Sequence, residues 1–332
     1  MFRMFNELIN PRISFSPATK EALLKSNTTI VITGARGWIG TAALEMLESV
    51  FAEKLSAKTV LYGEKQGSVK LRSGVIVDVR PLSEIRRLGG SDFLLAHFAF
   101  LTREHVQSYG LQKYIEVNRA ISSLVLDFAK RSVPSGLFVP SSGAIYDENG
   151  QPEEDLYTNP YGFLKRQDEI HFSELDVDSS KMALIRLFNL SGPFLNKPSG
   201  YVLGTILQDL SLGTAINLRA DYEVTRSYIH VRDLIEIAFS IMLGTIPSPG
   251  VPFDTAGERV IEIGELAILA ASVLGVHDVV VNRPVIDKRK PRDRYVGDGQ
   301  LIMEIAKAQR LTLSSLENQI LDTASYLRSL SK

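Results

Sequence analysis

Tyr161 and Lys165 stand four residues apart in the stretch NPYGFLKRQ, a spacing that puts both on one face of a helix. An ammonium beside a phenol favours the phenolate and draws its pKa down toward neutral pH. A tyrosine tuned in this way can exchange a proton with a substrate hydroxyl or carbonyl. The spacing alone also occurs on solvated helices. Its weight here comes from two further stretches, TGARGWIG at 33–40 and VPSSGAIY at 139–146.

The glycine stretch needs an element on each side of it. Thr28 to Thr33 read TTIVIT, a β-branched run suited to a buried strand. Gly34, Gly37 and Gly40 follow. After them Ala42, Ala43, Met46, Leu47, Val50 and Phe51 recur at helical spacing. Strand, glycine turn and helix make a dinucleotide-binding unit. The glycines let the backbone approach closely, and the helix N-terminus, with Trp38 and Ile39 in its first turn, holds the pyrophosphate.

TGARGWIG, the Ser-Ser-Gly-Ala-Ile-Tyr run and Tyr161-x-x-x-Lys165 together resemble the extended short-chain dehydrogenase/reductases, in the branch of the nucleotide-sugar epimerases, dehydratases and reductases. LLAHFAF at 94–100, IRLFNLSGP at 185–193 and TRSYIHVRDL at 225–234 are similar to further segments of that branch, in its order. The resemblance runs from about residue 28 to the C-terminus. It implies Ser142 as the residue that orients the reacting oxygen, Ser141 being the alternative. It implies Asp78 and Val79 at the adenine, Phe98 and Ala99 beneath the glycine turn, and Asn118 as a residue steadying the site. On the substrate side it implies Asn189, Arg226 and Arg292 at a nucleotide diphosphate, where guanidinium groups bond an anion well. Arg292 also lies in the charge run KRKPRDR, which reads equally as solvated surface. Dehydratases of the branch carry carboxylates just after the serine, and this chain has Gly143 and Ala144 there. That leaves oxidation or reduction at one carbon: a 4-epimerase or a keto-sugar reductase.

The cofactor is NAD or NADP. The acidic residue that grips the NAD ribose is expected to end the second strand, where the chain reads KTVLYGEKQ and Glu64 lies beyond the end. Arg36, inside the glycine turn, could meet a 2′-phosphate, with Lys65 assisting. The balance favours NADP.

The 332 residues suffice for one large or two modest domains. Strand-like runs at 28–33, 58–62, 75–78, 93–98, 136–140 and 182–187 alternate with helix-like runs at 38–55, 81–88, 111–131 and 160–174. This predicts an α/β fold, a Rossmann-type doubly wound parallel sheet. The expected division is an N-terminal extension over 1–26, a dinucleotide-binding domain over 27–189 with 226–245 returning to it, and a smaller discontinuous C-terminal substrate domain over 190–225 and 246–332. Phe2, Met4, Phe5, Leu8 and Ile9 predict that the extension packs. Ile115, Leu124, Leu126, Phe128, Phe163 and Ile170 give the helices at 111–131 and 160–174 more apolar surface than one sheet face needs, which with the family resemblance predicts a homodimer.

A net charge of −1 gives no footprint for nucleic acid or for general attraction to anionic membranes. No apolar stretch approaches about 18 residues, so no membrane span is expected. The first residues lack a secretory pattern, which predicts a cytoplasmic protein. With no cysteine, disulfides, thiolate metal sites and cysteine acid/base chemistry are excluded. The histidines at 97, 105, 171, 230 and 277 show no ligand spacing, and no metal is expected. Two other readings remain on the sequence: an NADP-dependent reductase of a small non-nucleotide carbonyl, and a non-catalytic dinucleotide sensor.

Overall fold

A computed structural model of the chain describes residues 11–90, 92–147 and 149–330. The apolar cluster expected at Phe2 to Ile9 lies outside the described residues. Two compact units emerge. The first comprises Ile13–Leu187 and Ile235–Asp254, and the second centres on Phe188–Leu234 and the chain from Thr255 on.

The first unit is built on one sheet. Its strands are β1 (Thr29–Thr33), β2 (Thr59–Gly63), β3 (Gly67–Lys70), β4 (Ile76–Pro81), β5 (Phe93–His97), β6 (Gly136–Ser142), β7 (Met182–Leu187) and β11 (Phe253–Asp254). They lie in the order β11-β7-β6-β5-β1-β2-β4-β3. Every pairing is parallel except the β3–β4 hairpin. The strand order reverses beside β1, the arrangement of a doubly wound Rossmann sheet, which places ligands at the carboxyl ends of the strands. β1, β5 and β6 are buried almost throughout because helices cover both faces.

Helix α1 (Pro17–Lys25) starts on Ser16, whose Oγ accepts from the Thr19 amide, with Pro17 in the first turn. The segment before it is tied down by buried acids. The Ile13 amide donates to Glu45 Oε1 at 3.0 Å, and the Ser16 amide donates to Glu236 at 2.9 Å. Residues 13–25 therefore belong to the packed first unit. Helix α2 (Trp38–Phe51) stops short of the expected 55 because Ala52 takes a positive φ of 48°. The helix expected at 81–88 is a 3₁₀ segment, Leu82–Arg87. Helices α3 (Leu111–Arg131) and α4 (Pro160–Ser173) fall where the periodicity put them.

Ile115, Leu126 and Phe128 are buried within the unit, and Leu124 and Phe163 half-buried; only Ile170 of the six is exposed. The surplus apolar surface from which a homodimer was expected is mostly core.

The second unit holds β8 (Asn189–Ser191), helix α5 (Val202–Leu212), β9 (Ile216–Asn217), β10 (Val224–His230), β12 (Val260–Glu262), β13 (Val281–Asn282) and β14 (Asp293–Tyr295). β10 is the hub, pairing with β8, β12 and β14. Leu203, Leu207, Leu266, Ala270 and Ile320 belong to the core beside it. The division between units falls within helix α6 (Val231–Met242), so residues up to Leu234 group with β10.

Candidate active site

The glycine turn follows from contacts that a side chain would break. Gly34 sits at φ +70°, and a Cβ there would stand 2.6 Å from the Ala99 amide nitrogen. A Cβ on Gly40 would stand 2.6 Å from the Gly34 carbonyl oxygen. These close approaches seat the start of α2 over the end of β1. Gly37, the N-cap, brings no side chain to the first-turn amides, which leaves the helix N-terminus suited to an anion. Phe98 and Ala99 both hang from Thr33: the Phe98 amide donates to its carbonyl at 3.0 Å and the Ala99 amide to its Oγ1 at 3.2 Å. Trp38 is buried and Ile39 half-buried.

Arg36 reaches across to the end of β2. Its Nη2 donates to the Lys65 carbonyl at 3.1 Å. A Cβ on Gly63 would lie 3.1 Å from Nη2, and one on Gly67 2.8 Å from Nη1. Two glycines thus make room for the guanidinium where an acidic ribose-binding residue was sought. Glu64 is exposed in the following turn. Val79 is buried beside Gly63, whereas Asp78 is exposed on the other face of β4, opposite Ser68 in register. The structure therefore separates the pair that the resemblance groups at the adenine, since strand neighbours face opposite sides.

Helix α4 begins on Asn159, whose Oδ1 accepts from the Gly162 amide at 3.0 Å and whose Nδ2 donates to the Ala144 carbonyl at 2.8 Å. Pro160 occupies the first turn. Gly162 presses directly on the 3₁₀ turn Gly143–Ile145 that follows Ser142: a Cβ there would stand 1.9 Å from Ala144 O. This seats Tyr161 and Lys165 against the end of β6. Lys165 Nζ donates to the Pro140 carbonyl at 2.9 Å and lies 4.0 Å from the Phe100 ring centre. Tyr161, half-buried, meets the same ring edge-on at 5.8 Å. Burial pulls the Lys165 pKa down to about 8, against the opposing pull of Asp168 and Glu169. The group sits where a change of one unit alters its charge at neutral pH.

The two serines differ. Ser142 Oγ accepts from the Ala144 amide at 3.1 Å and so caps the turn. Ser141 Oγ is buried with no hydrogen-bond partner, which leaves its hydroxyl unused. Asn118, buried on α3, clasps Leu101 with both ends of its amide: Oδ1 accepts from the Leu101 amide at 2.8 Å and Nδ2 donates to the Leu101 carbonyl at 3.2 Å. The clasp holds the loop that carries Phe100.

In the second unit, Asn189 Nδ2 donates to Ser227 O at 3.0 Å and Tyr295 O at 3.1 Å. Both amide hydrogens join β8, β10 and β14, so none remains for the diphosphate contact expected of it. Arg226 forks onto Asp293 at 2.9 and 2.8 Å, and its charge is already matched. Arg292 is 74% exposed beside Glu223, as the charge-run reading has it.

Sequence reasoning passed over Gly162, Phe100 and the Pro140 carbonyl. A glycine inside a helical pattern was the available signal for the first. It also passed over a network centred on Arg186. The guanidinium forks onto Glu169, one turn beyond Lys165, with both contacts at 2.9 Å, and donates to Tyr146 Oη at 2.7 Å. Tyr146 in turn donates to Asp254 at 3.0 Å. Among the described residues no group of three or more histidine and carboxylate side chains is placed to hold a metal, and no helix is long and apolar enough to cross a membrane.

The family model that describes NAD-dependent epimerases and dehydratases matches residues 30–249. The chain belongs to the NAD-dependent epimerase/dehydratase family. Among characterised relatives of this family member, the dTDP-4-dehydro-6-deoxy-D-allose reductase of a Streptomyces species is 27% identical over 74% of this chain and 81% of its own. UDP-glucuronic acid decarboxylase 5 of Arabidopsis thaliana is 24% identical over 72% and 73%. In fold, the chain is similar to the UDP-N-acetylglucosamine 4-epimerase of Methanobrevibacter ruminantium M1, with a TM-score of 0.70 at 17% identity, covering 92% of this chain and 99% of that one.

Proposed function

We propose that this family member moves hydride between a nicotinamide dinucleotide and one carbon of a nucleotide-diphosphate sugar, as a keto-sugar reductase or a 4-epimerase. The observation that carries the reading is the seating of α4 on the turn after β6. It brings Tyr161 and the buried Lys165 to a segment with two serines and no carboxylate at Gly143 or Ala144. A site without that carboxylate has a proton donor for a carbonyl but lacks the extra acid and base for water loss. The resemblance to a keto-sugar reductase supports the same side of the choice.

The nicotinamide, when bound, supplies or accepts the hydride. Gly34, Gly37 and Gly40 with the first turn of α2 would hold the pyrophosphate, and Phe98 and Ala99 would flank the dinucleotide. Arg36 and Lys65 would take a 2′-phosphate, which favours NADP, and NADPH as reductant favours the reductase. In reduction, Tyr161 Oη gives its proton to the keto oxygen as that oxygen becomes a hydroxyl. Lys165, as ammonium, stabilises the phenolate left behind. A serine hydroxyl, from Ser142 or the unpartnered Ser141, orients the reacting oxygen.

The test is a panel of UDP-, dTDP-, GDP- and CDP-sugars and their 4-keto forms, with NADPH and NADH oxidation followed by absorbance. Turnover with one nucleotide series, and its fall by about two to four orders of magnitude in Tyr161→Phe with cofactor binding kept, is the expected result. Turnover of simple carbonyls alone, or near-normal rates in Tyr161→Phe, would overturn it.

A further inference from the structure

Lys165 is a buried cation whose direct contacts, the Pro140 carbonyl and the Phe100 ring, are both neutral. An ammonium taken out of water needs a negative charge nearby or it gives up its proton. Two carboxylates stand on the next turn of α4, Asp168 and Glu169. Glu169 has both oxygens occupied by the Arg186 fork. Asp168 does not. It is 4% exposed, its Oδ2 has no hydrogen-bond partner, and burial raises its pKa against the opposing pull of Lys165 and of the Ser122 hydroxyl on α3, the partner of its carboxyl. It lines a groove of about 140 Å³ between α3 and α4, with Phe100, Asn118, Ser122 and His171. Phe100 is the ring on which Lys165 and Tyr161 both rest.

From this placement we infer that Asp168 is a positioning residue for the dyad: its buried carboxylate, on the wall of the α3–α4 groove, is the counter-charge that keeps Lys165 an ammonium. Residues three apart on a helix have Cβ atoms roughly 5–6 Å apart. At that range a unit charge moves a neighbour's pKa by about one to two units in a partly buried setting. Asp168 is the first of the two groups that raise the Lys165 pKa against burial. The other groups facing this end of α4 do not replace it. His97 on β5 is held neutral, its pKa pushed down to about 3 by burial and by Lys165. Tyr114 on α3 is a buried phenol whose pKa burial raises. Arg119 reaches Gln167, Arg186 is matched by Glu169, and His171 lies at the groove itself. The inference rests on the reading of Tyr161 and Lys165 as the acid/base pair.

The experiment uses the full chain with Asp168→Asn, which keeps the shape of the side chain. The tyrosinate absorbance of Tyr161 is titrated by difference against Tyr161→Phe, and the pH profile of turnover is measured beside it. Removing the counter-charge lowers the Lys165 pKa, and a neutral Lys165 no longer favours the phenolate of Tyr161. The tyrosinate midpoint should therefore move to higher pH, while Asp168→Glu moves it back. An unmoved or lowered midpoint in Asp168→Asn, or the same rise produced by Glu169→Gln instead, would overturn the inference. If Asp168→Asn does not fold, carboxyl-carbon NMR of the unaltered chain decides. An Asp168 resonance ionised at neutral pH and titrating together with Lys165 supports the inference, and one that stays protonated there overturns it. Failure of the dyad reading shows separately, as unchanged turnover in Tyr161→Phe.

Discussion

Gly162→Ala tests the geometry on which the site depends. The new methyl would stand 1.9 Å from Ala144 O and 2.5 Å from Asn159 Nδ2, where 3.4 Å begins ordinary contact. Either α4 or the turn after Ser142 must then withdraw by about 1.5 Å. Alanine gains about 1 kcal/mol over glycine in helix propensity. Overpacking against backbone costs about 1–3 kcal/mol, so a net loss of stability of up to ~2 kcal/mol is expected. The larger effect falls on catalysis. Tyr161 is the adjacent residue, and a misplacement near 1 Å of a reacting group costs about a hundredfold in rate. The clamp through Asn159 would be strained as well, because its Nδ2 is the other atom in the way. Stability is read by urea unfolding and function by steady-state turnover, with dinucleotide affinity as the control for the remainder of the unit. Expected are a modest fall in midpoint, a fall in kcat of about two orders of magnitude, and unchanged dinucleotide affinity. A variant with wild-type kcat would show that the seating of α4 does not set the reaction geometry.

Arg36→Ala should weaken NADP binding by about ten- to a hundredfold, the loss of a charge-assisted bond, and NAD binding much less; equal losses would return Arg36 to a solvated turn residue. Arg226→Ala should raise KM for the nucleotide sugar by about ten- to a hundredfold if its guanidinium exchanges Asp293 for a diphosphate, and an unchanged KM would leave Arg226 as a partner of Asp293 alone. His97 gives a pH prediction. Its pKa is about 3 in the fold against an ordinary 6.5, so its stabilising contribution is complete above about pH 6.5 and is lost as pH falls toward 3. The loss is at most about 1.4 kcal/mol per pH unit, and urea midpoints of the chain and of His97→Asn should differ in slope across that window.

The glycine turn was legible because its determinants are local: a β-branched strand, three glycines and an amphipathic helix lie in one run. The Tyr161–Lys165 spacing was legible for the same reason. What the sequence did not give was the tertiary partner of each group. Arg36 could be placed in the turn, but its seat over Gly63 and Gly67 depends on a hairpin, β3–β4, whose first strand has one buried residue, Val69, and so no alternation to read. Asn189 read as a donor to a ligand, yet its two hydrogens are spent where three strands meet. Leu126 and Phe128 read as surplus helix surface because the number of residues that the sheet and the neighbouring helix can cover is a property of packing, absent from periodicity.

The tuning of this site and its stability pull in opposite directions. The burial that brings the Lys165 pKa near neutral also removes an ammonium from water without a direct ion pair, and that burial is destabilising by itself. The fold offsets it around the lysine. One turn on, Glu169 is locked to Arg186 on β7, which also holds Tyr146, four residues after Ser142. At the start of the helix, Asn159 and Gly162 fix α4 to the turn after β6. One end of the stretch is thereby tied to a side chain on β7 and the other to the backbone turn after β6. A dyad held from both sides can tolerate a cation that neither neighbour neutralises directly. Loosening either tie is expected to free Lys165 toward water, raise its pKa, and remove the proton-transfer tuning before the fold itself fails.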